Sequence, residues 1–452
     1  MIRCVFFLIA SLATTKAGLI DAAYSDDTTA VTELLKSGAD PSEKNRYGVT
    51  PLALACTNGN PEMVKALITA GADIHATMNG GETALMIAAR TGDNLSVTQL
   101  LTAGAEHQDT DRKKQTAIMW ASAAGHTDVV KTLIAAGADF KSPLPSGFTP
   151  IFFAVRAGHT ETVQALLAAG ADVKAVSKEK GRGRNLRNGT SAFILAVENG
   201  HLDLALDLIE AGADPNDMRS GASALHSLVF VRKTESGDSI NGTPPPPITG
   251  NIDTLSFVKE LVKRGADPNL RLNITKARAG ARLNRSGATP FFLASHTDDL
   301  PLLRTLVEVG ADPTIPNSDG TTPLMAAAGV GIDAPGEDAG SEKEALECVA
   351  YLLELGADIN AVDKNDETAM HGAAYKGLPK MIRYLDSQGA DIKIWNKENK
   401  RGWSPLVITQ GYRFGNFRPI AEAEAALAEV MLSHGVTPPP ASDYKGGSPG
   451  AY

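Results

Sequence analysis

Short runs of apolar residues recur along this chain at a fixed interval. The segments that start at Thr50, Thr83, Thr116 and Thr149 each place Pro or Ala after the Thr, continue with large apolar residues and alanine, and start 33 residues apart. The same phase continues at Ser191, Ser223, Thr289, Thr322, Thr368 and Ser404. A second marker, Gly-Ala-Asp or a close variant, runs in parallel and starts at Gly38, Gly71, Gly104, Gly137, Gly170, Gly212, Gly265, Gly310, Gly356 and Gly389. Two markers that share one period predict a chain built from repeated units.

Each unit predicts two short helices. The Thr or Ser is a good N-cap because its hydroxyl accepts a backbone N–H, Pro suits the first helical turn, and the apolar residues that follow share one narrow face. Glycines such as Gly59 and Gly125 end this helix, since glycine tolerates the left-handed C-cap conformation. A second helix follows, for example residues 128–135, and Gly137 closes it. A loop with Asn or Gly near its tip then returns the chain to the next unit.

These residues carry a resemblance to a known family. The period of 33, the Thr-Pro-Leu-His-x-Ala character and the Gly-Ala-Asp marker resemble the ankyrin repeat, and His226 and His371 stand at the histidine of that motif. The resemblance covers residues 18–437 in about eleven units, with 18–46 and 404–437 as degenerate caps. It implies an all-α ankyrin-repeat solenoid of helix-turn-helix units that recognises proteins through its finger loops and first-helix face. The long repeats with inserts behind an apolar N-terminus also resemble exported bacterial ankyrin repeat proteins.

Five inserts interrupt the regular unit. Three lie between the two helices of a repeat, at residues 232–251, 331–343 and 412–419, and because they occupy equivalent loops we expect them to leave the same edge of the stack. Two larger inserts lengthen the finger loop after the second helix, at residues 178–187 and 271–285. The first has five positive charges and one negative charge, and the second has five positive charges and no acid.

The basic inserts predict an anionic partner. The whole chain has a net charge of −9, so a generally basic nucleic-acid binder is not favoured, and the inserts lack aromatic residues on which single-stranded nucleic acid would stack. An acidic protein segment, a phosphate-bearing ligand and a membrane headgroup remain open, as does solvated charge that balances nearby Asp and Glu. The predicted contacts are arginines of the two inserts: Arg182, Arg184, Arg187, Arg278, Arg282 and Arg285.

The N-terminus has the pattern of an export signal. Arg3 precedes an apolar run of ten residues, 4–13, and small residues follow, which predicts a signal peptide over residues 1–17 and a periplasmic or secreted mature chain. The run is too short to span a bilayer, so we expect no stable membrane insertion after its removal; a buried first helix is the alternative. Residues 438–452 are predicted to be a disordered tail.

Two cysteines remain in that mature chain, Cys56 and Cys348. The repeat pattern places them about seven units apart, or about 70 Å at about 10 Å per helix layer, whereas a disulfide needs Cα atoms within about 7 Å. We therefore predict two free, buried thiols.

The sequence predicts no reaction chemistry. All nine histidines fall at repeat positions, none is paired with a second ligand at metal spacing, and no nucleophile elbow, phosphate loop or zinc signature occurs. We expect no catalytic site, metal or cofactor, and interpret the chain as an exported scaffold that binds a macromolecule along its finger-loop groove. Three alternatives stay open: a secreted effector that engages a host protein, an accessory protein of an envelope redox enzyme, and a small-molecule enzyme built from insert residues.

Overall fold

The chain folds into two compact units, Met1–Asp172 and Val173–Tyr452. A computed structural model describes residues 18–178, 188–233, 245–273, 283–332, 340–411 and 419–440. Within these ranges the secondary structure is helical, and extended pairing is limited to isolated bridges such as Thr77 with Thr83. None of the helices in these ranges combines the length and the apolar character that crossing a membrane requires.

Unit 1, Met1–Asp172, contains five helix pairs in its described part. Their bounds are α1 (Leu19–Tyr24), α2 (Thr28–Lys36), α3 (Pro51–Asn58), α4 (Pro61–Thr69), α5 (Ala84–Thr91), α6 (Asn94–Thr102), α7 (Ala117–Ala124), α8 (Thr127–Ala135), α9 (Pro150–Ala157) and α10 (Thr160–Ala168). The first helix of each pair packs on the first helix of the next, and the second helices form their own layer in the same way. The predicted helix-turn-helix repeat is confirmed in this unit.

Unit 2, Val173–Tyr452, contains six such pairs and one short additional helix in its described part. Their bounds are α11 (Ala192–Glu198), α12 (Leu202–Glu210), α13 (Ala224–Arg232), α14 (Thr254–Lys263), α15 (Pro290–His296), α16 (Leu300–Glu308), α17 (Pro323–Ala328), α18 (Glu342–Glu354), α19 (Ala369–Lys376), α20 (Pro379–Ser387), α21 (Ile392–Trp395), α22 (Pro405–Thr409) and α23 (Ala421–Ser433). The short helix α21 lies in the finger loop between the last two pairs. The inserts fall between these helices, where the sequence predicts them.

Thr and Ser N-caps begin most first helices, as predicted. The Thr50 hydroxyl accepts the backbone N–H of Ala53 at 3.1 Å. Thr116 and Thr149 depart from the prediction, because their backbones are extended as at other N-caps but their hydroxyls make no capping hydrogen bond. The helix start at these two repeats therefore depends on packing more than on the cap.

At two repeats the motif histidine completes the cap. His371 Nδ1 accepts the backbone N–H of Thr368 at 3.2 Å, and its Nε2 lies 3.2 Å from the Lys397 carbonyl oxygen. His226 Nδ1 accepts the N–H of Ser223 at the same distance. An accepting Nδ1 requires a neutral ring whose proton is on Nε2, so the hydrogen-bond pattern assigns these histidines a structural role.

A column of leucines on the second helices forms the core between repeats. In unit 1 its members are fully buried and recur every 33 residues: Leu67, Leu100, Leu133 and Leu166. In unit 2 the inserts change the spacing, but the same position is kept at Leu208, Leu261, Leu306, Leu352 and Leu385. Each repeat therefore buries its apolar face against its neighbours, which is how a linear repeat array is stabilised.

Both Cys56 on α3 and Cys348 on α18 are free and buried, which confirms the prediction for them. Burial raises the pKa of each thiol well above its usual range. Because the thiolate is the nucleophilic form, neither cysteine is a nucleophile at neutral pH.

Candidate functional site

Five of the six predicted contact arginines lie outside the described residues: Arg182, Arg184, Arg187, Arg278 and Arg282. The sixth, Arg285, is half-buried, and its guanidinium carbon lies 5.2 Å from the ring centroid of Phe230 on α13. Arg285 is thus engaged with an aromatic ring of its own unit. The role of the six arginines in partner binding stays a prediction.

Backbone hydrogen bonds join the two ends of each basic insert in unit 2. At the first insert, the Ser177 N–H donates to the Thr190 carbonyl at 2.8 Å, and the Gly189 N–H donates to the Ser177 carbonyl at 2.9 Å. At the second insert, the Leu272 N–H donates to the Ala288 carbonyl at 2.8 Å. Because backbone hydrogen bonds join the two ends of each insert, each one starts from a fixed position on its finger loop.

The described ends of the interhelix inserts 232–251 and 331–343 lie at a group of charged side chains in unit 2. We name this group the Asp298 cluster, and it consists of Arg232, Lys233, Asp298, Asp299, Glu344 and Lys376. Lys233 lies at the start of the first insert, and its Nζ donates to the Asp298 carbonyl and to the Glu344 carboxylate, both at 3.0 Å. Since Glu344 directly follows the second insert, the cluster holds the bases of both inserts at one edge, as the repeat pattern predicts.

Two ion pairs form the body of the Asp298 cluster. Lys376 Nζ lies 2.5 Å from Asp298 Oδ2, and the two side chains are 5% and 0% exposed. Arg232 binds Asp299 in a bidentate manner, with its Nε 2.8 Å from Oδ2 and its Nη2 3.0 Å from Oδ1. These pairs join α13, the turn between α15 and α16, and α19, so the cluster connects several repeats.

Asp298 stands where other repeats have the glycine that ends the first helix. It has a φ of 52°, in the left-handed region where Gly59 and Gly92 lie. Burial raises the pKa of the Asp298 carboxyl to about 6, although the Lys376 ammonium favours the ionised form. Within the described residues, its Oδ1 has no hydrogen-bond partner. A buried carboxylate with this geometry has a structural role, because no partner protein can reach it.

Charged side chains on the second helices of unit 2 are paired between neighbouring repeats. Arg264, which directly follows α14, lies 2.8 Å from Glu210 on α12, and Lys259 on α14 lies 2.7 Å from Glu308 on α16. Near the end of the unit, Arg383 lies 2.8 Å from Glu429. The two charges of each pair therefore neutralise each other locally.

Unit 1 presents a different surface on its finger-loop side. We name it the finger-loop surface, and it consists of the loops 45–49, 78–82, 111–115 and 144–148 together with Arg90, Trp120 and Arg156 on the first helices. Backbone hydrogen bonds align the loop tips, because the Asn79 N–H donates to the Tyr47 carbonyl at 3.2 Å and the Arg112 N–H donates to the Gly80 carbonyl at 2.9 Å. The tips of the first three loops therefore form one continuous edge.

The exposed charges of the finger-loop surface are almost all positive. Its exposed cations are Arg46, Arg90, Arg112, Lys113, Lys114 and Arg156. The first five of these make no ion pair with a carboxylate in the described part of the chain. Of the acids in these loops, Glu82 lies against Gly80. Asp111 is buried and accepts the backbone N–H groups of Lys113 and Gln115, both at 2.8 Å.

Three of these arginines lie over aromatic rings. The Arg46 guanidinium is 4.7 Å from the Tyr47 ring centroid, and that of Arg90 is 5.0 Å from the Trp120 ring. The Arg156 guanidinium is 5.6 Å from the Phe153 ring. The surface thus combines positive charge with partly exposed aromatic area, which suits recognition of an anionic chain.

The sequence predicts binding along the finger-loop groove but places the charged contacts on the two inserts, so the cations on the regular loops and first helices of unit 1 are absent from the predicted contacts. The regular loops also contained a signal, the run Arg112-Lys113-Lys114 at a loop tip. Arg90 and Arg156 occupy the same position of the repeat, 66 residues apart, and a comparison of the units position by position would have revealed them.

The described residues contain no group of three or more His, Cys, Asp or Glu side chains placed to hold a metal ion. The clusters of polar side chains that occur there, such as Glu367 with Tyr375 and Asn399, are buried and hydrogen-bonded to one another. The finger-loop surface of unit 1, by contrast, has exposed charge and partly exposed aromatic area.

Parts of this chain are similar to curated proteins. It is 28% identical over 201 residues to "Ankyrin repeat and SOCS box protein 6" of Pongo abelii, covering 40% of this chain and 45% of that protein. It is 29% identical over 149 residues to "Probable 26S proteasome regulatory subunit p28" of Saccharomyces cerevisiae, covering 32% of this chain and 54% of that protein. The chain thus spans about half the length of these curated relatives.

A solved structure, the human ASB11 ankyrin repeat domain, aligns with 55% of this chain and 98% of that chain at 22% identity and a TM-score of 0.43. Family models match along both units. A model of three ankyrin repeat copies matches residues 19–111 and 92–177, a single-repeat model matches 188–219, and a model of many copies matches 338–385. These matches cover more than half of the sequence, so the chain belongs to the ankyrin repeat family, whose repeats indicate a scaffold for protein–protein interactions.

Proposed function

We propose that this chain is a non-catalytic scaffold that binds an acidic segment of a partner protein along the finger-loop surface of unit 1. The observation that carries the proposal is a set of five exposed cations on this surface that form no ion pair with a carboxylate within the described residues: Arg46, Arg90, Arg112, Lys113 and Lys114. On the second helices of unit 2, by contrast, neighbouring repeats pair their charges.

Unpaired surface cations on an acidic protein create a local field. The chain has a net charge of −9, so a positive surface of this kind is confined and attracts an acidic partner selectively. The aligned loop tips and the rings of Tyr47 and Trp120 add contact area beside the charges. Complementary charge then sets the orientation and the association rate of the partner.

The basic inserts of unit 2 extend the same proposal. Arg182, Arg184, Arg187, Arg278 and Arg282 would contact acidic groups of the partner. Arg285 contributes its charge from its position over Phe230. The inserts and the finger-loop surface are tested as separate variants.

The test is affinity capture from extracts of the source organism, read by mass spectrometry at low and moderate salt. The first variant neutralises Arg112, Lys113 and Lys114 to Gln. The matched control neutralises Lys36, Lys65 and Lys131, exposed lysines on second helices of the same unit, and so makes the same change in net charge. A third variant changes the six insert arginines to Ser.

We expect the native chain and the control to capture the same protein, and the fingertip variant to lose it by about tenfold or more, with weaker capture at moderate salt. Loss with the insert variant as well would show that both surfaces contact the partner. A partner retained equally by all the variants would contradict the proposal.

Export is part of the proposed function. Arg3 and the apolar run 4–13 support a signal peptide over residues 1–17 and action in the periplasm or outside the cell. We expect the mature chain to be shorter than the translated one, with its new N-terminus near residue 18, when its mass is measured in the periplasmic fraction and in the medium. An intact N-terminus in the cytoplasmic fraction would contradict export and leave the binding proposal unaffected.

A further inference from the structure

We propose that Asn79-Gly80, at the tip of a finger loop of unit 1, is a site of spontaneous deamidation, and that its products weaken the binding of acidic segments to the finger-loop surface. The modification itself needs no partner, and only its effect on affinity rests on the proposed function. The reaction joins the glycine nitrogen to the asparagine side chain, so its rate depends on the hydrogen bonds that hold these two residues.

The reaction needs only these two residues and water. The Gly80 nitrogen gives its proton to hydroxide, attacks Cγ of Asn79 and closes a five-membered succinimide ring. The C–N bond of the carboxamide breaks, and its nitrogen takes a proton from water and leaves as ammonia. A second water molecule then opens the ring at either carbonyl and gives aspartate or isoaspartate. Glycine favours the attack because it has no Cβ to hinder its nitrogen.

Asn79 and Gly80 are the two central residues of the loop turn. The Gly81 N–H donates to the Met78 carbonyl at 2.9 Å, which closes the turn around them. The Asn79 side chain is exposed, and within the described residues it makes no hydrogen bond. The Gly80 N–H also has no acceptor among those residues. Neither reacting group therefore has to give up a hydrogen bond before the ring forms.

Two backbone hydrogen bonds hold this tip to the neighbouring loops. The Asn79 N–H donates to the Tyr47 carbonyl at 3.2 Å, and the Gly80 carbonyl accepts the Arg112 N–H at 2.9 Å. Ring closure rotates the peptide between Asn79 and Gly80, so the tip must open locally before it reacts. We therefore expect the reaction to be slower in the folded chain than in a short peptide of the same sequence.

The other described Asn-Gly pairs are held more firmly. In each of them the glycine N–H donates to a backbone carbonyl: Gly59 to Cys56 at 3.3 Å, Gly189 to Ser177 at 2.9 Å and Gly200 to Val197 at 3.0 Å. In Asn58-Gly59 and Asn199-Gly200 the asparagine Nδ2 also donates to a helix carbonyl, in both cases at 2.8 Å. The fifth pair, Asn241-Gly242, lies outside the described residues. Among the four described pairs, Asn79-Gly80 should react first.

Deamidation changes the charge within the finger-loop surface. Asn79 occupies the same repeat position as Arg46 and Arg112, which lie one repeat before it and one repeat after it. Each event replaces a neutral carboxamide with a carboxylate between these two cations and so reduces the local positive field. Isoaspartate also adds a methylene to the backbone, which disturbs the alignment of the tip with its neighbours. Both products should therefore bind an acidic segment more weakly.

The first test follows the full chain during incubation at mildly alkaline pH by peptide mapping and mass spectrometry, which detects a gain of about 1 Da at the modified residue. We expect Asn79 to react at least about fivefold faster than Asn58, Asn188 and Asn199, because one ordinary hydrogen bond changes an opening equilibrium by about that factor. Gly80→Ala should slow the reaction at Asn79 several-fold. Alanine suits this position, since its φ lies outside the left-handed region and the added Cβ meets only the flexible end of Glu82.

The second test measures binding of a fluorescein-labelled decaglutamate peptide by fluorescence polarisation, before and after the same incubation. We expect the incubated native chain and fresh Asn79→Asp to bind it several-fold more weakly than the fresh native chain. Asn79→Gln is the matched control, because it retains the carboxamide but would have to close a larger ring. Its affinity should therefore change little during the incubation.

Three results separate the parts of this inference. Reaction at Asn58, Asn188 or Asn199 as fast as at Asn79, or no reaction at Asn79, would overturn the modification site. An equal loss of affinity in incubated Asn79→Gln would overturn the effect on the surface. A fresh native chain that does not bind the peptide, while Asn79 reacts as expected, would instead contradict the proposed function and leave the modification site in place.

Discussion

Replacing Lys376 with Met is expected to lower the unfolding free energy of unit 2 by about 3–5 kcal/mol, because removing one partner of a buried ion pair leaves the other charge uncompensated. Lys376 Nζ lies 2.5 Å from Asp298 Oδ2, and both side chains are almost inaccessible to solvent. Oδ1 of Asp298 already lacks a hydrogen-bond partner within the described residues. The variant would also remove the hydrogen bond that Lys376 donates to Oδ2 of the same buried carboxylate. The methionine fills the space of the lysine stem and limits the effect to the charge.

A second variant separates the charge effect from a general loss of packing. Asp298→Gly combined with Lys376→Met removes both charges and places glycine where φ is 52° and where other repeats have glycine. We expect this double variant to recover most of the lost stability. Lys380→Met on α20, which is exposed, is the control and should change stability by no more than about 0.5 kcal/mol.

Denaturant unfolding followed by tryptophan fluorescence measures these effects. Trp395 and Trp403 report on unit 2 once Trp120, the remaining tryptophan of the chain, is replaced by Phe. A loss below about 1 kcal/mol for Lys376→Met, or no recovery in the double variant, would show that the ion pair does not stabilise the cluster.

Lowering the pH from 8 to 5 is expected to destabilise unit 2 by about 3 kcal/mol. Burial lowers the pKa of His371 from 6.5 to about 4 and that of His296 from 6.5 to about 3. The unfolded chain therefore binds protons below pH 6.5 that the folded chain does not bind. Stability from these two groups is fully present above pH 6.5 and is lost as the pH falls towards 4 and 3, by about 2 kcal/mol for each histidine at pH 5.

Asp298 acts in the opposite direction. Burial raises its pKa from 3.8 to about 6 in the folded chain, so the folded form binds a proton more tightly than the unfolded form and returns about 1 kcal/mol at pH 5. The histidines outweigh this gain because there are two of them, and the pKa of each is lowered by more than the pKa of Asp298 is raised. The expected net effect is a loss of stability in acid.

His371→Gln tests the histidine contribution. The measured quantity is the difference in unfolding free energy of unit 2 between pH 8 and pH 5, so the effect of the substitution itself cancels. We expect this difference to become smaller by about 2 kcal/mol. His75→Gln, in an exposed loop of unit 1, is the control. An unchanged difference in His371→Gln would mean that His371 does not govern the acid response.

Much of the architecture could be predicted because its causes are local. The period of 33 places Leu67, Leu100 and Leu133 at equivalent positions, and a buried column follows. The N-cap rule succeeds at Thr50 but fails at Thr116, where the helix begins although the hydroxyl makes no capping hydrogen bond.

The candidate site was harder to predict. The basic composition of the inserts predicts their arginines as the partner contacts, and five of the six arginines lie outside the described residues. The exposed cations of the regular loops were hidden in the sequence, because a lysine or arginine at a loop tip looks like any solvated charge until its neighbours are known.

The sequence by itself determined the repeat period, the paired helices, the positions of the inserts and the free, buried cysteines, because each depends on spacing within or between equivalent units. The side-chain contacts between particular repeats were decided only by the tertiary structure. Lys376 and Asp298 are 78 residues apart, and Arg90 lies over a ring contributed by the next repeat. Such pairs form only when stacking brings particular repeats together, and an insert of any length changes the distance along the sequence while leaving the contact in space unchanged.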